Sequence, residues 1–190
     1  MVAMSHGLMG EGYWHLQHGR TAEALERFER AWSLPRKNLV LSFHTLPAFA
    51  ALVTARRRHA EAMKKTNEAE TPRLFKRAFR LAKWGVQVTR FFPPDYPLAL
   101  RELSLLYEAK GKTRKALKLA DKSCAVAQRQ QAKCEHAQSL LVRGKLARQL
   151  GLPEAEEQIQ QAEAELELIE NSAQESLPNA SATSRDGVTR

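Results

Sequence analysis

A pattern of three residues recurs four times along this chain and restricts what it can fold into. Each copy has a small residue, an apolar residue four positions later, and a second small residue three positions after that. The four trios are Ala24, Phe28 and Ala31; Ala78, Ala82 and Gly85; Ala116, Ala120 and Ser123; and Ala155, Ile159 and Ala162. Steps of four and three keep a trio on one face of an α-helix, where small side chains let a second helix approach closely. The pattern therefore predicts four helices, each packed against a close partner.

A glycine precedes three of the trios at a nearly constant distance. Gly19 and Gly111 lie five residues before the first small residue of their trios, and Gly151 lies four residues before it. Each copy is therefore predicted to form a helix, a glycine turn and a second helix, and repetition of such hairpins is typical of a solenoid.

The sequence predicts an all-α chain of about four antiparallel hairpins, because no segment has the alternating β-branched pattern of a strand. The predicted hairpins cover about residues 2–34, 43–91, 97–128 and 132–170, within one helical-repeat domain at 1–170. Residues 171–190 are rich in Ser, Asn, Ala and Thr without an apolar period, so we expect a disordered tail.

The net charge of +9 is unevenly distributed. Residues 1–152 contain 28 basic and 12 acidic residues, whereas residues 153–190 contain 2 basic and 9 acidic residues. A basic body attracts nucleic acids, acidic proteins and anionic surfaces alike, although Lys and Arg are also ordinary residues of solvated helix faces.

One stretch has the composition of a nucleic-acid-binding segment more clearly than the rest of the chain. Phe75 and Phe79 alternate there with the basic residues Lys76, Arg77, Arg80 and Lys83. Basic residues interleaved with aromatic ones can follow phosphates and stack on bases. The alternative interpretation is an amphipathic helix with a solvated basic face.

No motif of catalysis or cofactor binding stands out. The Gly-Lys-Thr sequence at 111–113 resembles the end of a phosphate-binding loop, but Leu106 occupies the position of the first glycine and a helix precedes it. His15 and His18 could share a metal ion, but no third ligand lies nearby in the sequence. We therefore expect a protein that is not an enzyme and has no cofactor and no metal site.

Membrane and disulfide signals are also missing from the sequence. The longest apolar stretch, at 46–55, is much shorter than the roughly 20 residues of a spanning helix, and the first residues do not resemble a secretory signal. Cys124 and Cys134 match neither a disulfide framework nor a zinc site, so we expect both to be reduced. The expected location is the cytoplasm, without a membrane partner.

The repeated units resemble tetratricopeptide repeats over about residues 2–170. The first unit carries Gly12, Gly19, Ala24, Phe28, Ala31 and Pro35; the third carries Leu100, Leu103, Tyr107, Gly111, Ala116, Ala120 and Ser123; the fourth carries Leu140, Gly144, Ala147, Gly151, Ala155, Ile159 and Ala162. The units depart from that motif because the tryptophan of the first helix is missing, the second unit lacks its turn glycine, and the spacing exceeds 34 residues. The resemblance implies a right-handed solenoid.

Longer, degenerate repeats of this kind are similar to those attached to large bacterial signalling ATPases and kinases. The stretch 116–157 is similar in style to the C-terminal repeats of such proteins. The resemblance implies a non-catalytic protein–protein interaction module that belongs to, or derives from, a bacterial signalling or regulatory protein. Nucleic-acid binding by the basic body, residues 1–152, is the alternative.

In the family that the chain resembles, peptides bind a concave groove lined by the first helix of each hairpin. Carried onto this chain by position, that surface comprises Met9, Tyr13, Arg101, Leu105, Glu108, Leu141, Lys145 and Arg148. Arg101, Lys145 and Arg148 would hold the carboxylates of an acidic partner, or would simply be solvated. The first hairpin begins without a polar cap, so we also expect self-association through it.

Overall fold

The computed structural model describes residues 2–37 and 46–175. Eight α-helices occupy these ranges: α1 (Val2–Gln17), α2 (Thr21–Lys37), α3 (Leu46–Met63), α4 (Thr71–Thr89), α5 (Tyr96–Glu108), α6 (Thr113–Arg129), α7 (Lys133–Gln149) and α8 (Ala155–Glu175). A single 3₁₀ turn, Pro93–Asp95, leads into α5. The described residues contain no β-strand.

Consecutive helices pack against each other as antiparallel pairs, and the pairs stack into a right-handed solenoid of four hairpins, which confirms the predicted fold class. The first helices of the hairpins, α1, α3, α5 and α7, also contact one another in succession. The backbones of the second helices, α2, α4, α6 and α8, do not approach one another in this way within the described ranges, although the rings of Trp32 and Trp84 lie 6.2 Å apart. The first helices therefore form the inner, concave side of the solenoid, and the second helices form its outer side.

The residues of all four trios are buried, as the pattern predicted. Eight of the twelve residues, among them Ala24, Phe28 and Ala116, have no exposed surface, and the other four are also buried. Each trio faces the other helix of its hairpin or the following hairpin, where burial of apolar surface contributes roughly 25 cal/mol per Å². The repeated seam is thus the core of the protein.

Glycines on the facing helices explain how closely these pairs approach. A Cβ atom added to Gly144 in α7 would lie 2.8 Å from Cγ1 of Ile159 and 3.2 Å from two backbone atoms of α8. A Cβ added to Gly12 in α1 would lie 2.7 Å from the ring of Phe28. Only glycine permits these helix–helix distances without displacement of the neighbour.

The turns inside three hairpins are closed by the predicted glycines. Gly19, Gly111 and Gly151 have φ angles of 72°, 69° and 69°, in the left-handed region. In the α5–α6 turn the amide of Lys112 donates to the carbonyl of Tyr107 at 3.0 Å, which is the hydrogen bond of a Schellman cap. The same cap therefore ends α1, α5 and α7.

The helix ends differ from the sequence-based boundaries in several places. The helix α2 runs through Pro35 to Lys37, three residues beyond the predicted end at 34. The helix α8 continues to Glu175, so the first five residues of the predicted tail are helical. The predicted start of the second hairpin at 43–45 and the remainder of the tail at 176–190 lie outside the described residues.

Candidate partner-binding face

The inner helices are joined by two ion pairs, one buried and one partly buried, that run from one first helix to the next. The guanidinium of Arg57 in α3 donates from Nε to Oε2 of Glu102 in α5 at 2.6 Å. Thr54 in α3 donates its hydroxyl to the other oxygen of Glu102 at 3.1 Å. Glu102 is 3% exposed, so its charge is compensated inside the protein and not by water.

Electrostatics at this pair favour the ionised carboxylate. Burial alone would raise the pKa of Glu102, but the charge and hydrogen bonds of Arg57 outweigh burial and hold that pKa below its ordinary value. Glu61, one turn further along α3, accepts from the same guanidinium at 2.9 Å. The pair is therefore a fixed connection between α3 and α5.

The next connection, between α5 and α7, uses Arg101. Its Nη1 donates to Oε2 of Glu135 at 2.6 Å, and its Nη2 donates to Oε1 of Gln138 at 2.6 Å. The hydroxyl of Ser139 accepts a further bond at 3.3 Å. Arg101 is 6% exposed and its donors are used within the protein. The interpretation of Arg101 as a free cation for a partner carboxylate is therefore wrong, because Glu135 already occupies it.

Met9 is the second predicted face residue that lies inside the molecule. It belongs to the main hydrophobic core and is 9% exposed, because the side of α1 that carries it packs on α2 and α3. Tyr13, one turn further along α1, is 44% exposed, and its ring contacts Phe28 edge-on at a centroid distance of 5.1 Å.

Two carboxylates that the sequence analysis did not select act on Tyr13 across the inner side. Burial raises the pKa of Tyr13 first, and the negative charges of Asp95 and Glu135 raise it further. The pKa of Asp95 is itself raised by burial and by Glu135. No sequence signal connects α1 with the starts of α5 and α7, so only the stacking of the first helices brings these groups into range.

The remaining predicted residues lie on two adjacent first helices. Leu105 and Leu141 are half-buried, and Lys145 and Arg148 are exposed. Arg148 lies 3.5 Å from Glu156, and both side chains are more than half exposed, so this pair is weak. Lys145 forms no ion pair with a described residue.

Glu108 is the acidic member of this group. It is half-buried at the end of α5, where its carboxylate accepts a hydrogen bond from the amide of Gln149 in α7. We call Leu105, Leu141, Lys145 and Arg148 the α5–α7 face. This face combines an apolar floor with two available cations, which is the chemistry that an amphipathic acidic segment requires.

The residues with possible metal or thiol chemistry stay apart. Nδ1 of His18 lies 2.8 Å from the carbonyl oxygen of Trp14, and no group of three or more His, Cys, Asp or Glu side chains converges anywhere in 2–37 and 46–175. Both cysteines are free thiols. Burial raises the pKa of Cys124 to about 11, so this thiol stays protonated at neutral pH.

No helix in the described part of the chain is long and apolar enough to cross a membrane.

Comparisons with solved structures define the class of fold. A protein from Podosopora anserina, described as a kinesin light chain with nearly identical TPR-like repeats, superimposes with a TM-score of 0.60 and 17% sequence identity. That match covers 94% of this chain and 79% of the other. BtubC (BKLC) from P. vanneervenii matches with a TM-score of 0.51 and 16% identity over 98% of this chain and 70% of its own.

The fold is therefore that of the tetratricopeptide-like helical-repeat solenoids. No protein-family model matches the sequence, and no curated protein is significantly similar to it.

Proposed function

We propose that the chain is a non-catalytic protein–protein interaction module and that the α5–α7 face receives an extended or helical segment of the partner. The observation that supports this most directly is the pair of available cations, Lys145 and Arg148, beside the half-buried Leu105 and Leu141. Apolar anchors would supply most of the affinity, and the cations would orient an acidic segment by charge-assisted hydrogen bonds. Tyr13 adds an aromatic contact at the other end of the inner side.

The partner segment is acidic near α7 and less so near α1. Arg101 and Glu135 neutralise each other, which leaves Asp95 as the anionic group that faces Tyr13. A segment that is acidic at one end and apolar or basic at the other would match both charges, which also fixes its direction in the groove.

The origin that we propose is a cytosolic bacterial signalling or regulatory protein. The stretch 116–157, which is similar to the C-terminal repeats of large signalling ATPases and kinases, supports this origin. Two free thiols in a chain of this size are also in keeping with a reducing compartment.

A pull-down from nuclease-treated bacterial lysate tests the proposal. The variant carries Lys145→Gln and Arg148→Gln, and the matched control carries Arg77→Gln and Arg80→Gln, which removes the same charge from the outer side. We expect a set of proteins that wild type and control retain at moderate salt and that the α7 variant loses. Equal retention by all three proteins, or retention only without nuclease, would contradict the proposal.

A further inference from the structure

The outer side of the second and third hairpins carries a surface of uncompensated positive charge. The helices α4 and α6 each contain five Arg or Lys residues, all exposed; α4 has no acidic residue and α6 has only Asp121. Asp121 pairs with Arg143 of α7 at 2.7 Å. None of these ten cations forms an ion pair with a described residue. This outer surface therefore attracts an anionic partner.

A shallow pocket in this surface combines guanidinium groups with an indole. It is lined by Arg56 of α3 and by Arg77, Arg80, Leu81 and Trp84 of α4. The guanidinium group of Arg56 donates to Glu29 at 2.9 Å. The uncompensated charges of the pocket are therefore the guanidinium groups of Arg77 and Arg80. We call these five residues the arginine–tryptophan pocket.

Trp84 is held with part of its ring accessible. Its ring packs edge-on against Phe49 at a centroid distance of 4.8 Å and against Trp32 at 6.2 Å. Even so, Trp84 is 43% exposed. The core neighbours thus fix the orientation of the indole while leaving a part of it open beside the guanidinium groups.

The aromatic residues selected from the sequence of α4 do not offer such a surface. Phe75 and Phe79 are half-buried and pack against the main core. The ring of Phe79 contacts Tyr107 edge-on and also lies 3.6 Å from the ammonium group of Lys110. The ring of Phe79 is therefore engaged inside the protein, whereas Trp84 is the most exposed aromatic residue of α4.

We propose that the arginine–tryptophan pocket binds one nucleotide unit of a single-stranded nucleic acid, whose backbone continues along the basic residues of α4 and α6. Arg77 and Arg80 hold a phosphate, and the adjacent base contacts the indole of Trp84. A flat base beside an anionic phosphate is the complement of a flat indole beside guanidinium groups. An acidic peptide would satisfy the charges but leave the indole unused, and a duplex would keep its bases inside the stack.

Fluorescence anisotropy with labelled oligonucleotides of about 15 nucleotides, one of thymidine and one of uridine, tests the proposal. We expect wild type to bind, with affinity falling between about 50 and 200 mM salt. Arg77→Gln with Arg80→Gln should weaken binding at least about tenfold and reduce the slope of log K against log salt by about 0.7, since one single-strand phosphate is no longer neutralised. The matched control, Lys145→Gln with Arg148→Gln, should change affinity less than about twofold because these residues lie on the inner side.

An abasic oligonucleotide of the same length separates stacking from charge. Wild type should prefer the thymidine strand by about fivefold or more, whereas Trp84→Leu should bind both strands alike. Circular dichroism checks that this variant remains folded. The proposal is overturned if both double variants lose affinity equally, if wild type does not prefer the strand with bases, or if anionic phosphatidylserine vesicles or polyglutamate bind in place of the oligonucleotides.

Discussion

At the scale of single residues, Gly144 lies where α7 and α8 pack closely together. The nearest atoms to an added Cβ include the backbone of Ala155 and Ile159, which cannot rotate away. We expect Gly144→Ala to destabilise the protein by about 2 kcal/mol, because the overlap outweighs the gain in helix propensity. Gly10→Ala is the matched control, since no atom lies within 4 Å of its added Cβ, and it should stabilise by up to about 1 kcal/mol. Urea denaturation measures both, and a stabilised Gly144→Ala would contradict the packing argument.

The Arg57–Glu102 pair makes a second prediction, which depends on pH. The pKa of Glu102 is lowered in the folded protein. The ionised carboxylate therefore contributes stability that is fully present above the pKa of an unfolded Glu, about 4.3, and is lost as the pH falls through the pKa in the folded protein. Glu102→Gln should therefore cost about 3 kcal/mol at pH 7 and much less near pH 3. Urea denaturation at both pH values provides the measurement. Glu61→Gln is the control, because the side chain of Glu61 is 43% exposed; it should lower the free energy of unfolding by less than about 1 kcal/mol. If Glu102→Gln costs the same stability at both pH values, the pair is not ionised.

At the scale of elements, the turn between α6 and α7 has the geometry of the glycine turns without a glycine. Gln131 has a φ angle of 55°, and the amide of Ala132 donates to the carbonyl of Ala127 at 3.0 Å, as in the other Schellman caps. A left-handed conformation costs a residue with a Cβ about 1–2 kcal/mol. Gln131→Gly should thus raise stability by about 0.5–1 kcal/mol after the entropy of glycine is subtracted, and Gly111→Ala should lower it. Thermal unfolding monitors both changes, and a lower melting temperature for Gln131→Gly would refute the strain.

The helices were predictable from the sequence because the information for them is local. A trio such as Ala116, Ala120 and Ser123 indicates which face of its helix is buried, and Gly111 indicates where the preceding helix ends. The inner face was less predictable, because the state of Arg101 depends on Glu135, 34 residues away on another helix. Gln131 illustrates the same limit, since a glutamine gives no local signal of a left-handed turn.

At the scale of the whole molecule, the two ends of the solenoid are chemically different. In the first helix, the side chains of Met4 and Trp14 are 58% and 47% exposed. We predict that self-association through the first hairpin would use this apolar surface. The last helix, α8, contacts α7 and carries seven glutamates without a basic residue. The helix α8 therefore covers one side of α7, and its negative charge opposes the positive charge of residues 1–152.

Removal of residues 153–190 tests this double role of α8. The truncation raises the net charge from +9 to +16 and uncovers the α7 strip that contains Leu140 and Gly144. Exposed apolar strips of this kind associate in water, so we expect lower solubility or a change in oligomeric state by light scattering after size exclusion. Truncation of 176–190 alone leaves α8 in place and should leave the oligomeric state of the full chain unchanged. If the longer truncation is as soluble as the full chain and has the same oligomeric state, α8 neither covers α7 nor balances the body.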